Sequence, residues 1–142
     1  MDEAGQRLRA GAQSGRVAHA QLFDGPEGSG AFALARAYAQ YLHCEHPTEA
    51  DACGACSACK AHQRLEHPDL HWSFPFFKPD GQDKAVSQPF QAAWREMLLS
   101  RPYFGMEEWT QAIGADRKQL FISVHEALEI NRKLGLKPFK GG

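Results

Sequence analysis

Apolar residues recur at helical spacing in several blocks of the chain, and short apolar runs bounded by glycine or proline stand between them. In Glu3–Ala12 the apolar positions Ala4, Leu8 and Ala12 repeat every four residues ahead of Ser14-Gly15, which predicts a short surface helix. Ala20-Gln21-Leu22-Phe23 is a brief apolar stretch running into Asp24-Gly25-Pro26, the pattern of a buried strand entering a tight glycine turn. From Phe32 to Leu42, Leu34, Ala35, Tyr38, Tyr41 and Leu42 share one side of a predicted helix, and Ala33, Ala37 and Ala39 permit close packing elsewhere.

Between His43 and Cys59 neither helical nor strand periodicity holds, so fixed ligands are the expected organiser of that stretch. Lys60–Leu65 predicts a short helix stopped before His67-Pro68. Asp69–Phe77 is aromatic and extended in character, with Pro75 marking a strand end. A polar loop over 78–84 precedes Ser87, a candidate N-cap for a helix carrying Phe90, Trp94, Met97 and Leu98 and ending at Arg101-Pro102. Met106–Ile113 predicts a second short helix with Trp109 and Ile113 on one side; both helix-borne tryptophans read as core in preference to contact surface. Gln119–Ile122 predicts an edge strand. Ser123 with Glu126 has capping-box spacing, and Val124, Ala127, Leu128, Asn131 and Leu134 mark the expected inner side of the last helix. Lys137-Pro138 and the closing glycines read as loop.

Composition narrows the class. The 142 residues are 43% apolar and 23% charged, which fits a folded domain and excludes a disordered tail. With 16 basic against 17 acidic side chains the formal charge is -1, so the strongly basic balance of a nucleic-acid or membrane-surface binder is missing. Arg132, Lys133, Lys137 and Lys140 form a modest basic cluster, read as a solvated face. No run approaches the roughly 18 apolar residues of a membrane span, and the polar first residues lack a secretory core, so a soluble cytoplasmic protein is expected.

All four cysteines, Cys44, Cys53, Cys56 and Cys59, fall within one short segment as C-x8-C-x2-C-x2-C. Four thiolates suit tetrahedral zinc, and the long first interval lets Cys44 fold back onto the other three. Metal-free structural cysteines and an iron–sulfur centre are the alternatives, the latter without supporting redox features, and a disulfide scaffold suits a reducing compartment poorly. Four protein ligands fill the tetrahedron and leave no position for activated water, so one structural zinc per chain is expected. His43 and His46 flank the first ligand without being needed as donors; His62, His67 and His71 read as surface, capping or packing residues.

Gly25-Pro26-Glu27-Gly28-Ser29-Gly30-Ala31-Phe32 places its glycines as a phosphate-binding loop does, yet its chemical end is replaced. Ala31 stands where a lysine reaches the β/γ-phosphates, and Phe32 where a hydroxyl ligates magnesium, so ATP hydrolysis by this chain is not expected. No catalytic or cofactor-binding residue is assigned.

These features together resemble the amino-terminal part of the bacterial DNA polymerase III clamp-loader subunits, of delta-prime type. The resemblance is carried by His19–Gly30, by the cysteine spacing, by His67-Pro68-Asp69 and by Ile122–Leu134. It implies an α/β fold, a partial P-loop AAA+ nucleotide-binding domain over 1–142. A four-cysteine zinc insertion at 43–66 and a helical insertion at 78–117 would interrupt that domain. It implies a non-catalytic subunit that supports assembly of the loader and loading of the sliding clamp. Its partners would be other clamp-loader subunits, with the clamp and primer-template DNA met through the assembly and no membrane involved. The family's acidic ATPase motif and its lid and collar domains have no counterpart in these residues, which reads as an amino-terminal piece of a larger subunit. Alternatives are an ATP-hydrolysing motor subunit of the same loader, which Ala31 and Phe32 oppose, and a stand-alone zinc-dependent nucleic-acid-binding module.

Overall fold

The computed structural model describes residues 2–26, 28–101, 103–115 and 117–135. Glu27 of the glycine turn, Pro102 at the expected helix end, and Lys137, Pro138 and Lys140 of the expected basic and loop terminus lie outside the described residues. Backbone contacts divide the chain into two compact units, Met1–His67 and Pro68–Gly142.

The first unit holds α1 (Asp2–Gln13), α2 (Ala31–His43) and α3 (Ser57–Gln63), with α2 packed against both of the others. Helix α1 keeps the expected span and exposes most of its surface. Helix α2 buries Tyr38 and Tyr41, as its periodicity predicts, while Leu42 stays 40% exposed. Tyr41 ties the unit together through its hydroxyl, which donates to the Thr48 carbonyl at 2.9 Å and accepts from Gln13 Nε2 at 2.9 Å. The loop leaving α2 is thereby fastened to α1. Helix α3 begins three residues before the predicted Lys60, because Cys56 serves as its N-cap and its sulfur accepts the Cys59 N–H.

The second unit holds a 3-10 turn (Gln88–Phe90), α4 (Gln91–Ser100), α5 (Met106–Ala112) and α6 (Val124–Leu134). Its core is aromatic. Phe74 stacks on Trp94 with centroids 4.7 Å apart, and Trp109 meets both rings edge-on at 5.2 and 5.1 Å. Edge-to-face and offset pairs of this kind add to the area that the rings remove from water. Trp109 is 1% exposed and its indole N–H donates to the Pro75 carbonyl at 2.7 Å, so the long aromatic stretch is pinned to α5. Both helix-borne tryptophans are core, as expected.

The expected α/β sheet of a P-loop AAA+ domain is not present: among the described residues there is no β-strand. The pairing that does occur is an isolated antiparallel bridge between Phe76 and Phe121, whose N–H groups donate to each other's carbonyls at 3.0 and 2.9 Å. The three expected strands fail for separate physical reasons. At Ala20–Phe23 Ala20 lies in a bend, residues 21–23 have no ladder partner and Leu22 is 92% exposed, whereas a central parallel strand needs neighbours and both faces covered. In 69–77, Pro75 supplies no N–H to a ladder. In 119–122 the bridge stops at one residue pair and Ile122 is 53% exposed. The four-cysteine part of the expected architecture stands.

Helix α6 also departs from its predicted orientation. Ser123 caps it as expected, its Oγ accepting the Glu126 N–H at 3.0 Å and donating to the Ala85 carbonyl. Yet Val124, Leu128 and Leu134, expected to face inward, are 73%, 60% and 65% exposed, and Ala127 and Asn131 are exposed with them. The buried residue is Glu126. Its carboxylate turns away from the capping box to accept the Ser87 N–H at 2.8 Å and the Ser87 hydroxyl at 2.6 Å. A buried carboxylate with two short donors outweighs an apolar stripe that would otherwise set the helix rotation. Ser87 consequently serves as this anchor and makes no side-chain cap to the helix that follows it. No described helix is long and apolar enough to cross a membrane.

Candidate metal centre

Two helix ends and one turn build the cysteine cluster. Cys44 is the C-cap of α2, its backbone turned out of the helix at φ -58°, ψ 133°. The chain then runs through a loop closed at its base by Thr48 and Asp51, which exchange backbone and side-chain hydrogen bonds. It returns at Cys53. Gly54, at φ +74°, makes the tight reversal between Cys53 and Cys56, and Gln63 Nε2 from α3 holds the Gly54 carbonyl at 3.2 Å. Cys59 then lies in the first turn of α3 and is fully buried.

All four sulfurs lie within 4.8 Å of one another, and the four cysteines are free thiols. Cys53 Sγ and Cys59 Sγ are 4.0 Å apart. A regular tetrahedron with Zn–S bonds of about 2.3 Å has edges of about 3.8 Å, so the donor set has the size of a zinc–thiolate site. Backbone N–H groups point at the sulfurs: Cys53 N–H at Cys44 Sγ (3.2 Å), Cys56 N–H at Cys53 Sγ (3.3 Å), Cys59 N–H and Glu45 N–H at Cys56 Sγ (3.4 and 3.5 Å). Such donors stabilise thiolate over thiol. The Glu45 and Cys59 N–H groups accordingly bring Cys56 down to about 6, and those of Ala55 and Cys56 lower Cys53. Burial acts the other way on Cys59, pushing it up to about 12. A divalent cation at the centre of the four sulfurs would offset that desolvation, which is the chemistry expected of a closed structural site. The cluster is therefore able to hold one structural zinc ion, and the sequence-predicted residues Cys44, Cys53, Cys56 and Cys59 are the ones brought together.

Directly beside this cluster, and missed by sequence reasoning, is a group of three histidines. His43 Nδ1 and His62 Nε2 are 2.8 Å apart, the His43 and His67 rings stack with centroids 4.1 Å apart, and His62 and His67 are buried. His43 precedes Cys44 and His62 follows Cys59 by three residues, so a signal lay in their helical register with the ligands. His46 and His71 are not part of this group.

The glycine turn lies at the other end of α2. Gly28 and Gly30 take positive φ values of +82° and +83°, and Gly30 is the N-cap of α2. Ala31 and Phe32 are the first helical residues, so neither an ammonium nor a hydroxyl is available at the positions that would neutralise phosphate or ligate magnesium. A cavity of about 880 Å³ lies beside the turn, lined in part by Arg7, Phe23, Gly25 and Ser29.

Comparison with known proteins places these features in a lineage. A family model described as DNA polymerase III, delta subunit, matches residues 1–142. The DNA polymerase III subunit delta' of Pseudomonas aeruginosa is 48% identical over 114 residues, covering 80% of this chain and 30% of the relative. The subunit delta' of Escherichia coli is 37% identical over 70 residues, covering 49% of this chain and 21% of the relative. The subunit tau/gamma of Haemophilus influenzae is 40% identical over 63 residues, covering 44% of this chain and 9% of the relative. The chain thus spans less than a third of the length of these relatives. No solved structure matches it. On the match over its whole length, the chain belongs to the DNA polymerase III delta subunit family.

Proposed function

We propose that this chain is the amino-terminal part of a delta-prime-type clamp-loader subunit, a non-catalytic member that organises the assembly loading the sliding clamp during DNA replication in the cytoplasm. The observation that carries this reading is the pair Ala31 and Phe32 opening α2 behind a phosphate-loop glycine pattern, in a chain matched to the family throughout. Glycine geometry without the lysine and hydroxyl lacks the ammonium that neutralises a transferring phosphoryl group and the hydroxyl that ligates its magnesium. A relative named tau/gamma is similar over 44% of this chain, but Ala31 and Phe32 argue against a motor role here.

Within this reading, Cys44, Cys53, Cys56 and Cys59 hold one zinc ion. Residues 43–66 are the zinc-binding insertion and 78–117 a helical insertion. The zinc fixes the ends of α2 and α3 and performs no chemistry, since all four tetrahedral positions are protein thiolates. Partners are the other clamp-loader subunits, with clamp and primer-template DNA met through the assembly. The near-neutral charge supports this over direct grip on DNA.

The test is reconstitution of the full-length protein containing this chain with its cellular loader subunits, followed by clamp loading on primed DNA. Loading should require the protein, and the protein alone should not turn over ATP. Turnover by the protein alone, or undiminished loading without it, contradicts the reading.

A further inference from the structure

We propose that His43, His62 and His67 form a second metal site, separate from the four-cysteine cluster, that takes a borderline divalent transition-metal ion through three neutral imidazoles. One ring nitrogen from each lies within 4.8 Å of the others. Three nitrogens around a metal at about 2.0–2.1 Å stand about 3.4 Å apart, so the present spacing, from 2.8 Å upward, needs shifts of an ångström or so, and the His43 and His67 rings, stacked 10° from parallel, must tilt for their in-plane lone pairs to converge. Three histidines leave a tetrahedral ion one open position, unlike the closed cysteine cluster.

The backbone brings these rings together at a cost. After Arg64, the C-cap of α3, Leu65 takes φ +58°, the one non-glycine residue at positive φ among the described residues. This left-handed turn is closed by Leu65 N–H to His62 O at 3.1 Å and Glu66 N–H to Ala61 O at 2.8 Å, and it returns His67 to the ring of His62. A branched side chain is disfavoured in this conformation, where glycine or asparagine is usual, and strain of this kind concentrates where a residue must be held in place.

The electronic state also suits ligation. Burial, with His43, His67 and Arg36 nearby, brings His62 down to about 4, so its ring is neutral and keeps a lone pair at neutral pH. The proton shared between His43 Nδ1 and His62 Nε2 belongs to one of the two rings. On ligation that ring passes the proton to its own second nitrogen, with no net release. Arg36 places positive charge near the site, so affinity has to come from imidazole donors, which favour zinc, nickel or copper over magnesium or calcium.

The test titrates the tag-free chain, with its cysteine cluster already zinc-loaded, with Ni²⁺, following heat and the histidine ring nitrogens by NMR. One further equivalent should bind, shifting the rings of His43, His62 and His67 together and leaving His19, His46, His71 and His125 unmoved. His62→Gln and His67→Gln should each weaken that equivalent by about tenfold or more while zinc stays at one per chain. Absence of a further equivalent in the native chain overturns the site. So does nickel uptake that only displaces zinc, or a further equivalent undiminished in both variants. The ring shifts are read on the native chain, so the test survives a variant that fails to fold.

Discussion

Cys53 Sγ lies 4.0 Å from Cys59 Sγ, about twice the length of a disulfide bond and close to the edge of a zinc–thiolate tetrahedron. That separation spans the reversal at Gly54 and the start of α3, so a metal at the centre would tie the loop to the helix.

Removing one sulfur should therefore loosen both. Structural zinc contributes about 10–16 kcal/mol over four ligands, or about 3 kcal/mol each, so Cys59→Ser should weaken zinc binding by about a hundredfold. Competition with a chromophoric chelator measures this. Circular dichroism should show loss of helix at α3, and zinc affinity equal to that of the native chain would count against the four-sulfur site.

In the metal-free chain the thiols should react in a fixed order. Cys56 is held near 6, below the ordinary 9.0, by the Glu45 and Cys59 N–H groups, so its thiolate persists at neutral pH. Its contribution to stability is complete above pH 9 and is lost as pH falls through 6. Cys59 has the opposite sign: burial favours its thiol, a contribution present below pH 9 and lost as pH rises through about 12. Alkylation mapped by mass spectrometry should label Cys56 first, with a midpoint near pH 6, and Cys59 last. Zinc should suppress labelling at both. Equal rates at the two positions would contradict this assignment.

Glu126 should anchor α6 in the second unit. Glu126→Ala leaves the Ser87 N–H and hydroxyl without their carboxylate and should cost about 2–3 kcal/mol, while Ser123→Ala, which removes the N-cap, should cost about 1 kcal/mol. Denaturant unfolding measures both. A double-mutant cycle between Ser87→Ala and Glu126→Ala should give a coupling above about 1 kcal/mol, and zero coupling would contradict the pairing.

The glycine turn should bind phosphate weakly and turn over nothing. With Ala31 and Phe32 at the start of α2, a nucleotide triphosphate should show no magnesium-dependent gain in affinity, measured by titration with and without magnesium. A gain of tenfold or more would restore a catalytic reading.

Much of this was legible in the sequence where periodicity and caps agree. Tyr38 and Tyr41 on α2, Phe90, Trp94, Met97 and Leu98 around α4, and the Ser123 cap all lie where spacing put them, because each couples a local preference to burial. The convergence of the cysteines was legible because their close spacing needs only one chain reversal to bring four sulfurs together. The sheet was not: Ala20–Phe23 has the composition of a strand, but a strand exists only with a partner, and composition does not state one. Nor was the rotation of α6, since its apolar stripe gave no sign that Glu126 would turn inward to a residue 39 positions away. The histidine group escaped because His67 joins it only through the positive-φ turn at Leu65, a conformation that a leucine does not advertise.

The most direct test of the structural claim at the heart of this account is the metal content of the purified, tag-free chain by native mass spectrometry, beside Cys53→Ser and Cys59→Ser. After a chelator wash that strips the more weakly held three-histidine metal, one zinc per native chain, lost from both variants, is the predicted result. A native chain that folds without metal, or variants that keep a full equivalent, would contradict it.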